Sequence, residues 1–325
     1  MEGRILVHGG AGAWEADAAR EAAVTATLRE AVFAGLSAMG SGTAVDAVVE
    51  AVASLEESGV FNAGRGSAPN LDGDIELDAG LMDGGSLRAG GVTAARSVPH
   101  PVRLARIVME RTENVLVAGE GATRLARAFG LTGELIPDPS GKNEIARKRG
   151  AYLKAPDHRW VRELRPGMEG NRVSDTVGAV AMDGDGRLAA ATSTGGLEFK
   201  IPGRVGDSPI VGHGYYAMRD AGAASTSGIG EAISRYGLSL RAVNLMGDGM
   251  EAQEAAEAAI AGLTRMFGTR TAGIILLDRD GSPGVSFNTG GMAVGFGGEL
   301  IMPWVRILRK REMKTFTGSL REELR

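Results

Sequence analysis

An α+β layered sandwich, with antiparallel hairpins covered by helix pairs, is the fold class that this 325-residue sequence predicts. Three observations point there. Two hairpin signals, TVGAVAMD–GDG–RLAAATST and TAGIILLD–RDGSP–GVSFNTG, each set apolar runs about an Asp/Gly turn. Alanine-rich helical patterns come in consecutive pairs, one near the N-terminus and one between the hairpins. The order of strands and helices lacks the regular alternation of a parallel βαβ sheet, and no repeat of fixed period runs along the chain.

Taken in order, residues 4–8 (RILVH) read as a short buried strand running into the glycine turn HGGAG. Helices are predicted from Arg20 to Met39 and from Thr43 to Glu57. The loop LEESGVFNAGRGSAPN follows, then strands in IELDAGLMD and RAGGVTAA. Pro101 in a first helical turn opens a helix through Arg111, and another runs from Glu120 to Phe129. From about residue 131 to 174 the chain is polar, proline-punctuated and aperiodic, the texture of an exposed linker or insertion. In the first hairpin, a loop of Gly184-Asp185-Gly186 with Gly186 left-handed pairs Asp183 with Arg187 and sets Thr176 opposite Thr194. A two-residue loop sets Thr176 opposite Ser193 instead. Helices from Gly230 to Met246 and from Glu251 to Phe267 precede the second hairpin, and the tail from Trp304 reads as a solvated terminal helix, with an oligomer contact as the alternative.

Composition narrows the function. The chain is 43% hydrophobic and 23% charged with a formal charge of −4, which leaves no electrostatic footprint for nucleic acid or an anionic membrane. With no cysteine, a disulfide scaffold, a thiolate zinc site and a cysteine nucleophile are excluded. Four histidines (His8, His100, His158, His213) offer little for a histidine-rich metal centre. The 50 glycines cluster beside Asn, Asp, Ser and Thr, as tight turns around a site do. The start, MEGRILVHGGAGAW, has no signal-like apolar run and no later stretch is long enough to span a membrane, so a cytoplasmic protein is expected.

HGGAGAW fails the dinucleotide pattern, because the third glycine would fall on Glu15. His8 reads better as a buried, hydrogen-bonded histidine than as a general base. In FNAGRGS, Asn62 either stabilises the turn through its side chain or donates its amide to a carbonyl oxygen or a nucleophile. The informative stretch packs Asp175, Thr176, Thr192, Ser193, Thr194, Arg204 and Asp207 into 33 positions. Arg204 and Asp207 could form a structural ion pair. The other use is recognition of a zwitterion, with the guanidinium on an α-carboxylate and the carboxylate accepting from an α-ammonium group.

The blocks HGGAGA, NAGRGS, ELDAGLMDG, DTVGAVA, ATSTGG, PGRVGDSP and GIGE, in that order from about Ile5 to Met302, resemble the plant-type asparaginases, or isoaspartyl peptidases. These are N-terminal-nucleophile hydrolases. The resemblance implies a single domain with a four-layer αββα sandwich, made as a precursor and cut between Asp175 and Thr176 into parts 1–175 and 176–325. The substrates implied are L-asparagine and β-aspartyl dipeptides, and the assembly an (αβ)2 homodimer of cleaved precursors, with no organic cofactor, nucleic acid or membrane involved. A freed Thr176 would carry a hydroxyl nucleophile and an α-amine of pKa about 7.7–8.0 as its base. By the same resemblance Thr194 holds or polarises Thr176, Asn62 lies near it, and Arg204 and Asp207 bind substrate. The oxyanion donors are Ser227 and Gly228, Gly228 also contacting substrate. Serine at 227 departs from the family's threonine and lacks the methyl that restricts its rotation. The loop Leu55–Arg65 resembles a structural sodium loop whose donors are the main-chain oxygens of Leu55, Glu56, Ser58, Phe61, Ala63 and Arg65. His213 and Tyr215 replace small residues expected near the substrate pocket and are expected to alter leaving-group preference. Two alternatives stay open: a glycosylasparaginase-like hydrolase, and an amino-acid-binding protein that is never processed.

Overall fold

A computed structural model describes residues 2–14, 17–135 and 176–309. The described strands form an eight-stranded and a four-stranded sheet. In chain order the first part holds β1 (Arg4–Gly12), α1 (Ala18–Ser41), α2 (Ala44–Glu57), β2 (Leu77–Asp83), β3 (Ala89–Ala95), α3 (Pro101–Arg111), β4 (Leu116–Ala118) and α4 (Gly119–Ala128). The second part holds β5 (Val177–Met182), β6 (Leu188–Thr194), β7 (Tyr215–Met218), β8 (Gly222–Gly228), α5 (Gly230–Tyr236), α6 (Leu238–Gly247), α7 (Ala252–Phe267), β9 (Ala272–Asp278), β10 (Pro283–Phe287), β11 (Gly291–Gly298) and β12 (Trp304–Arg309).

The larger sheet runs β12-β11-β1-β5-β6-β2-β3-β4 and the smaller β10-β9-β8-β7. Antiparallel neighbours dominate, as the hairpin signals predict; β3–β4 is a parallel pair. One apolar core lies between α1, α2 and α3 and one face of the larger sheet, built on Ile5, Val7, Leu28, Val48, Val52, Leu104 and Val177. A second joins the two sheets through Leu6, Val180, Tyr215, Ile275 and Phe296. A third seats α5, α6 and α7 on the smaller sheet through Ile233, Val243, Ile260 and Ile274. This is a mixed α+β architecture in which apolar faces of both sheets meet.

Local chemistry sets the element ends. Thr43 and Asp46 form a capping box on α2, with the Thr43 N–H donating to Asp46 Oδ2 at 2.7 Å. Asp17 caps α1 by accepting from the Arg20 N–H at 2.8 Å. At the β5–β6 turn, Gly186 has φ of 73° and the Asp183 N–H donates to the Arg187 carbonyl at 3.0 Å, so the three-residue loop is the one formed. Val177 accordingly pairs with Ser193, which sets Thr176 against Thr194.

Four expectations are corrected. The HGGAG segment is not a turn: β1 continues through Gly12, with an irregularity in register between His8 and Ala11. The helix expected from Gly230 to Met246 is two helices, separated at Gly237 with φ of 69°, a left-handed conformation that stops a helix. The tail is not helical from Trp304, because Trp304–Arg309 is the edge strand β12, paired with β11. Tyr215 is not a pocket residue; it is fully buried in the core between the sheets. The remainder of the tail, Asp175 and most of the 131–174 stretch lie outside the described residues.

Candidate active site

Strand pairing builds the centre of the site. Thr176 immediately precedes β5 and Thr194 ends β6, and their hydroxyls meet at 3.2 Å with Thr176 Oγ1 donating. Both residues are buried. The Thr194 oxygen is held in turn by the Gly196 N–H, which donates to it at 3.0 Å, and lies 3.4 Å from the Asn62 carbonyl. A hydroxyl fixed by a main-chain donor is a well-oriented partner for a second hydroxyl.

Asn62 is beside this pair, but its side chain bonds main-chain groups around it and not the threonine hydroxyls. Nδ2 donates to the Gly196 carbonyl at 2.6 Å and Oδ1 accepts from the Ala68 N–H at 2.9 Å. The amide thus ties the FNAGRGS loop to the end of β6, and Asn62 touches Thr194 through its main chain.

Under the nucleophile candidate lies a buried polar chain that joins the sheets. The His8 Nδ1 accepts from the Gly10 N–H at 3.3 Å, and Nε2 bonds to Ser225 Oγ at 2.9 Å. Ser225 Oγ lies 2.7 Å from Thr192 Oγ1, which donates to the Gly214 carbonyl at 2.9 Å. The Thr176 main chain also bonds to the imidazole, while complete burial pushes the ring's pKa down to about 3. His8 is therefore neutral and structural, as the sequence suggests. Gly178 makes the close approach possible, since an added Cβ there would overlap Ser225 Oγ and the His8 ring.

Ser227 sits near the end of β8 with its Oγ accepting from the Ala11 N–H at 3.0 Å. That main-chain donor fixes the oxygen by hydrogen bonding, where a threonine methyl would restrict it sterically. Gly228 closes the strand, paired with Ala272.

Arg204 and Asp207 converge on one point, but not as an ion pair. The Arg204 Nε and Nη2 both donate to Glu231 Oε1, at 2.9 and 2.8 Å. Asp207 accepts from Thr226 Oγ1 at 3.0 Å, and its burial raises the carboxyl pKa to about 6. The two meet at Gly230, where an added Cβ would stand 3.0 Å from both Arg204 Nη2 and Asp207 Oδ1. A guanidinium and a carboxylate around a bare backbone position suit a zwitterionic amino acid. Glu231 was legible only as part of GIGE, because its pairing spans 27 residues and a change of element.

A buried cluster missed in sequence anchors this loop. Lys200 Nζ donates to the Glu76 carbonyl at 2.9 Å and lies 3.8 Å from Asp78 Oδ2, with both side chains fully buried. Burial pushes the Lys200 pKa down and the Asp78 pKa up, each opposed by the other's charge. Glu76 Oε2 accepts from the Gly203 N–H at 2.8 Å. The loop carrying Arg204 is thus tied to β2 by groups that read only as strand residues in IELDAGLMD.

In the Leu55–Arg65 loop, main-chain oxygens come close to two glycines. An added Cβ at Gly64 would stand 2.5 Å from the Glu56 carbonyl oxygen, and one at Gly66 would overlap that of Phe61. Main-chain oxygens therefore crowd two positions kept open by glycine, and hard oxygen donors fit a hard cation. Ser58 Oγ donates to the Leu55 carbonyl at 2.7 Å, and the Phe61 carbonyl accepts from the Ala63 N–H at 2.8 Å, so each uses one lone pair inside the loop. His213 is half-buried, and its carbonyl accepts from Ser239 Oγ at 2.7 Å.

Comparison with known proteins shows the family. A sequence model described as asparaginase matches residues 1–306. The chain is 46% identical over 300 residues to a plant-type L-asparaginase of Pyrobaculum calidifontis, covering 90% of this chain and 96% of that one. It is 42% identical over 294 residues to the plant-type L-asparaginase of Thermococcus kodakarensis, covering 90% and 95%. An isoaspartyl peptidase/L-asparaginase of Danio rerio is 41% identical over 287 residues, covering 88% and 89%. With a match of this extent, running through the Thr176–Thr194 strands and the Arg204–Asp207 loop alike, the chain belongs to the asparaginase family.

Proposed function

We propose that this protein is an autoprocessing threonine-nucleophile amidohydrolase that releases L-aspartate from L-asparagine and from β-aspartyl peptides. The observation that carries the reading is the buried Thr176–Thr194 hydroxyl pair at 3.2 Å, lying at the start of a strand where a cut would free an amine. In the precursor, Thr176 Oγ attacks the Asp175 carbonyl, the peptide bond is exchanged for an ester, and water hydrolyses the ester to leave Asp175 as a new C-terminus. The freed α-amine of Thr176 takes the proton from Oγ during catalysis. Oγ then attacks the side-chain carbonyl of the substrate. Ammonia or an amino acid leaves with a proton returned from the amine, and water releases aspartate from the acyl-enzyme.

The remaining roles follow from the chemistry of each group. Ser227 Oγ–H and Gly228 N–H are the proposed oxyanion donors, Arg204 holds the α-carboxylate and Asp207 accepts from the α-ammonium group. Asn62 orders the loop behind Thr194. A sodium ion on the main-chain oxygens of Leu55, Glu56, Ser58, Phe61, Ala63 and Arg65 would supply only structural charge balance for that loop. One domain cut into 1–175 and 176–325, an αββα sandwich of the N-terminal-nucleophile type, an (αβ)2 dimer and a cytoplasmic location complete the reading. No helix among the described residues is long and apolar enough to cross a membrane.

Intact mass of purified, incubated protein tests the proposal, together with ammonia release from L-asparagine and amino-acid release from a β-aspartyl dipeptide. Cleavage at 175–176 with both activities is expected. An uncut chain that binds aspartate without turnover would favour the binding-protein alternative, and activity confined to glycosylated asparagine the glycosylasparaginase one.

Two further results are expected. Ser227→Ala lowers kcat by about 10²–10³, the usual loss for one oxyanion donor, whereas Ser227→Thr keeps the hydroxyl and stays within several-fold of the parent. The pH profile of kcat/KM has an acid side with two steps. Protonation of the α-amine, near 7.7–8.0 in reference compounds, gives a slope of about one below that pH. Asp207, raised to about 6 by burial, must be ionised to accept from the ammonium group, so the slope steepens toward two below about pH 6. Asp207→Asn should leave a single step; two steps in that variant would remove Asp207 from the assignment.

A further inference from the structure

The residue between the two serines of β8 faces the other way. Ser225 reaches His8 and Ser227 reaches the Ala11 N–H, both on β1 of the opposing sheet. Strand alternation turns Thr226 toward the loop that carries Asp207 and Gly214. Thr226 is fully buried, and its single hydroxyl proton has three acceptors in reach: Asp207 Oδ2 at 3.0 Å and the carbonyls of His213 and Gly214 at 3.2 Å each. The Gly214 carbonyl already accepts from the Thr226 N–H and from Thr192 Oγ1, each at 2.9 Å. The His213 carbonyl accepts from Ser239 Oγ at 2.7 Å. With both carbonyls supplied by other donors, the proton goes to the charged oxygen, where the bond is strongest.

We propose that Thr226 is a positioning residue for Asp207: by donating to Oδ2 it fixes the carboxylate so that Oδ1 is presented at Gly230, beside Arg204, to the α-ammonium group of the substrate. This rests on the assignment of Asp207 as the ammonium acceptor. Arg204, on the same loop, and Glu231, on α5, are the charged groups acting on Asp207, and they act with opposite signs. From β8 the contribution is the neutral Thr226 hydroxyl, which favours the ionised carboxylate.

The experiment compares Thr226→Val, isosteric without a donor, with Thr226→Ser, which keeps the donor and loses the methyl. Steady-state kinetics on L-asparagine are measured from pH 5 to 9, with Asp207→Asn alongside. Thr226→Val should raise KM about tenfold to a hundredfold, the range for a lost bond to a charged group, with kcat changed by less than about threefold. Its lower acid step should move to higher pH, since an unsupported carboxylate protonates more readily. Thr226→Ser should restore parental KM and the parental acid step. A Thr226→Val enzyme with unchanged KM and acid step, while Asp207→Asn raises KM, overturns the proposal. So does a Thr226→Ser enzyme as impaired as the valine variant, which would make the effect one of packing. If Asp207→Asn itself leaves KM unchanged, the ammonium assignment fails and the proposal with it. Should Thr226→Val not fold, Thr226→Ala removes the same donor at smaller volume and is read against Thr226→Ser in the same way.

Discussion

Thr176→Ala should yield a chain that stays whole on prolonged incubation and hydrolyses neither asparagine nor β-aspartyl peptides, with kcat reduced by at least about 10⁴. One oxygen is asked to serve both events. In the precursor it attacks the preceding carbonyl, and in the mature enzyme it attacks the substrate carbonyl, so its removal blocks both. Structural collapse is not the expected cause. Thr176 precedes the ladder of β5, and the Val177–Ser193 pairing does not depend on its side chain. Alanine forfeits the 3.2 Å bond to Thr194, a loss of about 1 kcal/mol, so the melting temperature should fall by only a few degrees. Thr176→Ser sharpens the test by keeping the oxygen: it should still cut itself, more slowly, and retain measurable turnover. Intact mass and ammonia release check all of this. A Thr176→Ala protein that still splits at 175–176 would mean that another group does the cutting.

What could be read from the chain was whatever is local. The β5–β6 hairpin was legible because the turn GDG and the flanking alternation constrain one another; two registers stayed open, and in the structure Gly186 selects the three-residue loop by adopting positive φ. α3 was legible in full, because Pro101 marks its start and the apolar spacing runs to Arg111. Strands β7 and β8 were not. GAASTSG is small-residue sequence without alternation, since both faces of β8 are covered, one by the larger sheet and the other by α6. WVRILR, read as the start of a solvated terminal helix, hides its strand for a similar reason. In β12, Val305 and Ile307 pack toward the helices while Leu308 and Trp304 pack toward the other sheet, so apolar residues occur at consecutive positions.

The site divides along the same line. Thr176, Thr194, Arg204 and Asp207 stand within a short stretch, and their chemistry is visible as residue types. Their partners come from elsewhere. Glu231 on Arg204, Thr226 on Asp207, Asp78 beside Lys200 and Ala11 on Ser227 are separated from them by one or two strands or by a large part of the chain. No periodicity encodes such pairs, because they form only when two sheets and a loop are already assembled. Asn62 shows both cases in one side chain. Its turn-forming use, Oδ1 accepting from the nearby Ala68 N–H, is local and could be anticipated from the sequence, whereas the bond from Nδ2 to the Gly196 carbonyl spans 134 positions and could not.

Arg204→Leu is expected to separate the two activities that Thr176→Ala abolishes together. Self-cleavage acts on a carbonyl of the chain itself and needs no α-carboxylate contact, so the variant should still split at 175–176. Turnover of asparagine should collapse. Arg204 is held by Glu231, which accepts from both Nε and Nη2, while Nη1 lies toward Gly206 and Gly196. A pair of hydrogen bonds from this fork to a substrate carboxylate, at about 1.5–3 kcal/mol each, corresponds to about 3–6 kcal/mol in all. That is a loss of about 10²–10⁴ in kcat/KM. Arg204→Lys keeps the charge without the planar fork and should fall between the parent and the leucine variant, chiefly through KM. Glu231→Gln leaves an oxygen for Arg204 but weakens the pairing that orients it, so a smaller rise in KM is expected with processing intact. The decisive pair of measurements is intact mass and kcat/KM on the same preparation. If Arg204→Leu fails to mature as well, the residue is holding the loop against α5 through Glu231 rather than the substrate, and the Gly230 position loses its meaning as the place where an amino acid is recognised.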